Sequence, residues 1–234
     1  MLNLIRKEIL KNSNQENKDN YERYLKNAVK FHGLKNPELL KIFKTLYSNL
    51  KEKDDNYLIN LGVELLKSEF FEEKRFGIEL LSKKYNKISP KFIDEFYELF
   101  DNYIYDWGTC DVSCSKIISK MISLNPEIIS TIIKWKDSEK IWAKRGAAVS
   151  FVTLAKTGKY NDEIIDICST IVKDNRRFVQ LGNGWVLRNL SLVDLSRVID
   201  FIKRNYDYFS REGLRYAIEK MNPKKRKELM NYKK

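Results

Sequence analysis

The chain has 234 residues, and 44 Lys and Arg against 32 Asp and Glu leave a formal charge of +12. Hydrophobic residues make up 43%, enough for a folded core and too many for a disordered basic tail. No apolar run reaches the ~18 residues of a membrane span, charge at Arg6 interrupts the N-terminal apolar stretch so that it does not read as a secretory signal, and 9 Gly with 4 Pro are too few for a barrel, a sandwich or a fold with Gly-rich phosphate loops.

The expectation is one basic, cytoplasmic, all-α domain over residues 1–234, monomeric and without cofactor or metal. Helical periodicity predicts helices over 2–12 and 16–31, with Gly33 in the left-handed stop position. Pro37 opens the next helix. Further helices are predicted over 54–67, 72–85, 90–103, 109–122, 126–136, 139–156, 161–173, 176–190, 193–205, 209–220 and 223–231, with Pro90, Pro126 and Pro223 at helix starts.

Short helices on short connections suggest stacked antiparallel pairs. A weak repeat agrees. Residues 73–81 (EKRFGIELL) resemble 143–151 (AKRGAAVSF), and 210–217 (SREGLRYA) has the same flavour. In each, a cation precedes a small residue. The spacing fits HEAT-like repeats, so the expected architecture is a superhelical solenoid. Its cations would line a concave, basic groove.

Such a charge suits nucleic acid, because Lys and Arg release counterions from phosphates. An anionic membrane fits less well, since no single helix concentrates the charge. Candidate clusters are Lys144-Arg145, Arg176-Arg177, Arg188 and Lys224–Lys227. Cys110 and Cys114 sit four apart, and a structural zinc site takes four Cys or His ligands, for which the sequence offers beyond that pair only Cys168 and the lone histidine, His32. Cys110 and Cys114 read as buried small hydrophobes, and His32 as a turn residue.

Tryptophans stand beside charges at helical spacing. Trp107 and Asp111 are four apart; Trp142–Arg145 and Trp185–Arg188 are each three apart. Taken singly, such tryptophans are more often core anchors. Four ordered segments add a resemblance: Tyr24–Glu38 (YLKNAVKFHGLKNPE), Trp107–Asp111 (WGTCD), Trp142–Arg145 (WAKR) and Phe178–Arg188 (FVQLGNGWVLR). Together they resemble the AlkD family of DNA alkylation-repair glycosylases, which fold as HEAT-like repeats.

The resemblance implies roles. Asp111 would be the catalytic carboxylate. Trp107 and Trp185 would contact the sugar of the damaged nucleotide, Arg145 a phosphate beside it, and Tyr24 the backbone. Lys144, Phe178, Arg188 and Lys35 would complete the contact with duplex DNA. Gly108 departs from the family, which often has Asp there, and Lys144 replaces an Arg.

The chemistry suits these residues independently. An N3- or N7-alkylated purine is already a cationic leaving group and needs no strong general acid, so a protein with one histidine suffices. The developing oxocarbenium ion calls for a carboxylate and for indole faces. Two alternatives remain open: a non-catalytic HEAT-like scaffold for nucleic acid or an acidic protein, and a relative that has drifted to binding unusual DNA structures.

Overall fold

The computed structural model describes residues 1–232, and the fold is all-α. Its contacts divide into two compact units, Met1–Leu124 and residues 125 onward. The first contains α1 (Leu2–Lys11), α2 (Gln15–Tyr24), α3 (Asn36–Leu50), α4 (Asp55–Leu66), α5 (Phe71–Lys84), α6 (Phe92–Asn102), α7 (Trp107–Ser113) and α8 (Ser119–Leu124). A π-helical turn, Cys114–Ile118, joins α7 to α8. The second contains α9 (Ile129–Lys134), α10 (Ile141–Val149), α11 (Asn161–Ile171), α12 (Arg177–Leu190), α13 (Leu195–Arg204), α14 (Arg211–Ala217) and α15 (Pro223–Met230). No helix among the described residues is long and apolar enough to cross a membrane.

Side-chain caps set many of the helix starts. Asn14, Asp54, Asp106, Asp194, Ser210 and Asn222 each accept a hydrogen bond from the backbone N–H three residues on. Each satisfies one of the donors that a helix N-terminus leaves open.

In the first unit, Ile5, Ile9, Leu39, Phe43, Leu50, Leu58, Leu65, Phe76 and Leu80 form one core cluster. Helix α5 runs through it and is buried at every residue from Glu72 to Ser82. Its packing on α4 is close because both helices have glycine at the crossing. A Cβ on Gly77 would lie 2.5 Å from the carbonyl oxygen of Gly62. The second unit repeats the device. A Cβ on Gly184 of α12 would lie 2.5 Å from the carbonyl oxygen of Gly213 of α14.

Two expectations need correction. The predicted helix 16–31 ends at Tyr24, because Lys26 and Asn27 turn left-handed, with φ of 53° and 58°. Gly33 does have a positive φ of 96°, but in the loop beyond, where its missing side chain leaves room for the backbone of Asn14 and Lys18. Three of the repeat cations, Lys74, Arg75 and Arg145, are buried rather than facing solvent, whereas Lys144 is half-buried and Arg211 exposed. Arg75 pairs with Glu79, and the Lys74 ammonium donates to the carbonyls of Leu66 and Tyr103. Lys74 and Arg75 thus serve the packing of the helices.

Candidate active site

Helix α7 carries Trp107 and Asp111 one turn apart on the same face, both half-buried. Asp106 starts this helix. Its carboxylate, 1% exposed, accepts the backbone N–H of Thr109 at 2.8 Å and the Thr109 hydroxyl at 2.7 Å. Burial raises the Asp106 carboxyl above its ordinary range, while Thr109 and the nearby Lys74 ammonium act the other way. Burial lowers Lys74 to about 8 against the carboxylates of Asp106 and Glu69. Through its bond to the Tyr103 carbonyl, Lys74 ties the segment entering α7 to α5. Neither Asp106 nor Lys74 was among the expected site residues. The only sequence signal was Asp106-x-x-Thr109, a helix-start pattern.

Tyr24, at the end of α2, is 70% exposed, and its ring meets Trp107 edge-on at 6.2 Å. The loop after it explains the motif that surrounds it. Lys26 and Asn27 reverse the chain. Lys30 then forms an isolated parallel bridge to Phe70. The buried Glu72 carboxylate accepts three successive backbone N–H groups, from His32 (3.0 Å), Gly33 (2.8 Å) and Leu34 (3.0 Å). Glu22 accepts the Phe31 N–H at 3.1 Å. His32 stacks on Phe70 at 3.9 Å and bonds Glu73 through Nε2 at 3.1 Å. It is a turn residue, as expected. Glu73 is held below the usual carboxylate range: burial would raise it, but hydrogen bonds from His32, Ser68 and Arg6 outweigh that.

In the second unit, Trp142 packs against Phe178, with ring centroids 5.3 Å apart. Arg145 is 4% exposed, and its Nη1 donates to the Phe178 carbonyl at 2.6 Å. Lys144 pairs with Asp174 at 3.2 Å. Burial would raise the Asp174 carboxyl, but the Arg176 side chain and backbone N–H, with Lys144, hold it at about 2. Gln180 is buried and donates to the carbonyls of Val172, Asp174 and Tyr208 while accepting the Ser210 N–H. Trp185 is half-buried. One turn on, Arg188 lies over the Tyr216 ring at 4.7 Å and pairs with Glu219 at 2.9 Å. The GWVLR segment therefore combines a packing glycine with an indole and a guanidinium on one helix face.

The structure thus brings Tyr24 and Trp107 together, places Asp111 on the Trp107 face, and joins Trp142, Arg145 and Phe178. Lys35 lies exposed at the start of α3. Cys110, Cys114 and Cys168 are buried, and burial raises the Cys168 thiol. Among the described residues, no three His, Cys, Asp or Glu side chains gather as a metal would require.

A sequence profile described as DNA alkylation repair enzyme matches residues 5–221 of the chain. No curated protein matches. Among solved structures, a predicted DNA alkylation repair enzyme from Enterococcus faecalis is similar at a TM-score of 0.81 and 19% identity, covering 90% of this chain and 97% of that one. The protein smu.31 from Streptococcus mutans UA159 is similar at a TM-score of 0.57 and 15% identity, covering 82% and 97%. Both likenesses are of fold.

Proposed function

The chain belongs to the DNA alkylation repair enzyme family, and from that premise we propose that it is a DNA glycosylase of base excision repair. Its substrates are N3- and N7-alkylated purines in duplex DNA. One observation carries this reading: an indole and a carboxylate, Trp107 and Asp111, share one face of a helix held by a buried cap.

Alkylation at N3 or N7 makes the purine cationic. When the C1′–N bond breaks, its electron pair leaves with the base, which departs neutral. Positive charge passes to the sugar. Asp111 stabilises that charge and orients a water, which adds to C1′ and loses its proton to the carboxylate or to solvent. The Trp107 face attracts the same cation. Tyr24 contacts the DNA backbone beside it. Trp185, Phe178 and Arg188 take part in holding the duplex, with Lys144 and Lys35 as further cationic contacts. Arg145, at 4% exposure, offers a phosphate little more than its edge, so its contribution is chiefly to set α10 against α12. The enzyme acts as a monomer, needs no metal or cofactor, and works inside the cell on the nucleoid.

The test is incubation with methylated duplex DNA and chromatography of what is released. Free 7-methylguanine or 3-methyladenine is expected. Duplex binding without release would leave the scaffold reading.

A further inference from the structure

Helices α14 and α15 of the second unit meet around a hollow of about 280 Å³. Ile218, Pro223 and Met230 give it apolar walls, and the exposed cations Arg215, Arg226 and Lys227 line it with them. Its position is fixed by the fold. Asn222 caps α15 by accepting the Lys225 N–H at 2.9 Å, and the buried Leu229 side chain anchors the helix. The Met230 carbonyl accepts the Tyr206 hydroxyl at 3.0 Å and Arg211 Nη1 at 2.6 Å.

The charge around this hollow is uncompensated. Nearby, Lys225 and Lys203 share Glu228, at 2.6 and 3.7 Å. Arg215, Arg226 and Lys227 form no ion pair among the described residues. Arg215 and Arg226 also line an adjoining hollow beside Leu181 and Tyr216, where both carboxylates are already engaged: Glu212 by Arg177 and Glu219 by Arg188. Unpaired cations around apolar carbon suit a ligand that carries both negative charge and an apolar group. Duplex phosphate supplies only the first. A bilayer surface would need an apolar helix face, and α15 presents none: four of its eight residues are Lys or Arg, and Leu229 is buried.

The geometry points to a docking site for an acidic peptide segment of another protein, with one apolar side chain seated between Ile218, Pro223 and Met230 and carboxylates facing Arg215, Arg226 and Lys227. Carboxylates gain charge-assisted, bidentate hydrogen bonds from the guanidinium groups. The apolar side chain leaves water, and the opposite charges steer the encounter. The site is independent of base excision. It gives the protein a way to be recruited by a partner rather than by the lesion.

The experiment is fluorescence anisotropy of the full chain with two labelled peptides of equal charge: a run of aspartates ending in leucine and phenylalanine, and the same run ending in two serines. The first should bind about tenfold more tightly, the scale of burying one large apolar side chain. Arg215→Glu combined with Arg226→Glu, both at exposed positions, should weaken it by about tenfold or more, with circular dichroism checking that the variant remains folded. Equal affinity of the wild type for the two peptides, or affinity unmoved in the folded double variant, overturns the inference. So does a double variant that loses affinity for unmodified duplex DNA while the wild type shows no preference for the apolar ending, since the patch is then a phosphate contact.

Discussion

Asp111 is a carboxylate in a strongly basic chain, where it opposes the approach of phosphate. Such a charge is useful if the reaction develops positive charge beside it. Asp111→Asn keeps the shape and removes the charge. Release of 7-methylguanine in single-turnover assays should fall about 10²–10³-fold, the usual scale for losing one preorganised electrostatic contact. Duplex affinity, read by fluorescence anisotropy, should stay level or rise, since a repulsion is gone. Retained excision would remove Asp111 from the chemistry. Asp174 gives a second residue-scale prediction. Its folded-state value of about 2 lies below its ordinary 3.8, so the stabilisation is complete above about pH 4 and is lost as pH falls toward 2. It amounts to about 2 kcal/mol. Asp174→Asn should flatten the loss of stability between pH 4 and 2, measured by urea unfolding at each pH.

Helix α7 depends on its supports more than on its own seven residues. Lys74 holds the Tyr103 carbonyl, and Asp106 caps the helix beside it. Lys74→Met would take the ammonium donor from the Leu66 and Tyr103 carbonyls, at a cost of about 1–3 kcal/mol for each one left unpaired, and would remove the positive charge near Asp106. The variant should lose stability, and excision should fall with it. It also carries a distinctive pH signature. Lys74 binds its proton more weakly folded, at about 8, than unfolded, at 10.5. Its contribution to stability therefore rises with pH between those values, and the rise should vanish in Lys74→Met. At the crossing of α12 and α14, Gly184→Val would drive a side chain into the Gly213 carbonyl. A loss of about 3 kcal/mol or more in chemical unfolding is expected.

Helices such as these were legible because periodicity, prolines and caps act locally. The end of α2 at Tyr24 was not, since it follows from left-handed Lys26 and Asn27, residues with no Gly or Pro to announce them. Tyr24, Trp107 and Asp111 were singled out through spacing and resemblance, and Tyr24 does meet Trp107 while Asp111 lies one turn on along α7. Asp106 and Lys74 were missed because burial of a charge depends on what packs over it, and sequence periodicity does not report that. Arg145 failed to stand out as buried for the same reason.

At the scale of the whole molecule, the charge of +12 need not come from one stripe. Lys74, Arg75 and Arg145 are inside, and Lys144, Arg176 and Arg188 face carboxylates. The exposed cations include Lys35 and, on α15, Lys224, Arg226 and Lys227. Sequence-independent binding to duplex DNA should therefore be dominated by counterion release from such solvent-facing groups. The logarithm of the binding constant should fall linearly with the logarithm of salt concentration, with a slope near −0.9 per neutralised phosphate. With about six contacts, affinity would drop roughly 10³-fold between 50 and 200 mM salt. Lys224→Ala with Lys227→Ala should make the slope shallower by up to about two units, while Arg145→Ala should leave it nearly unchanged, because a guanidinium at 4% exposure displaces few counterions. A slope that responds to Arg145 as strongly as to the α15 lysines would place the buried guanidinium against a phosphate after all, and would return it to the role that the Trp142–Arg145 motif first suggested.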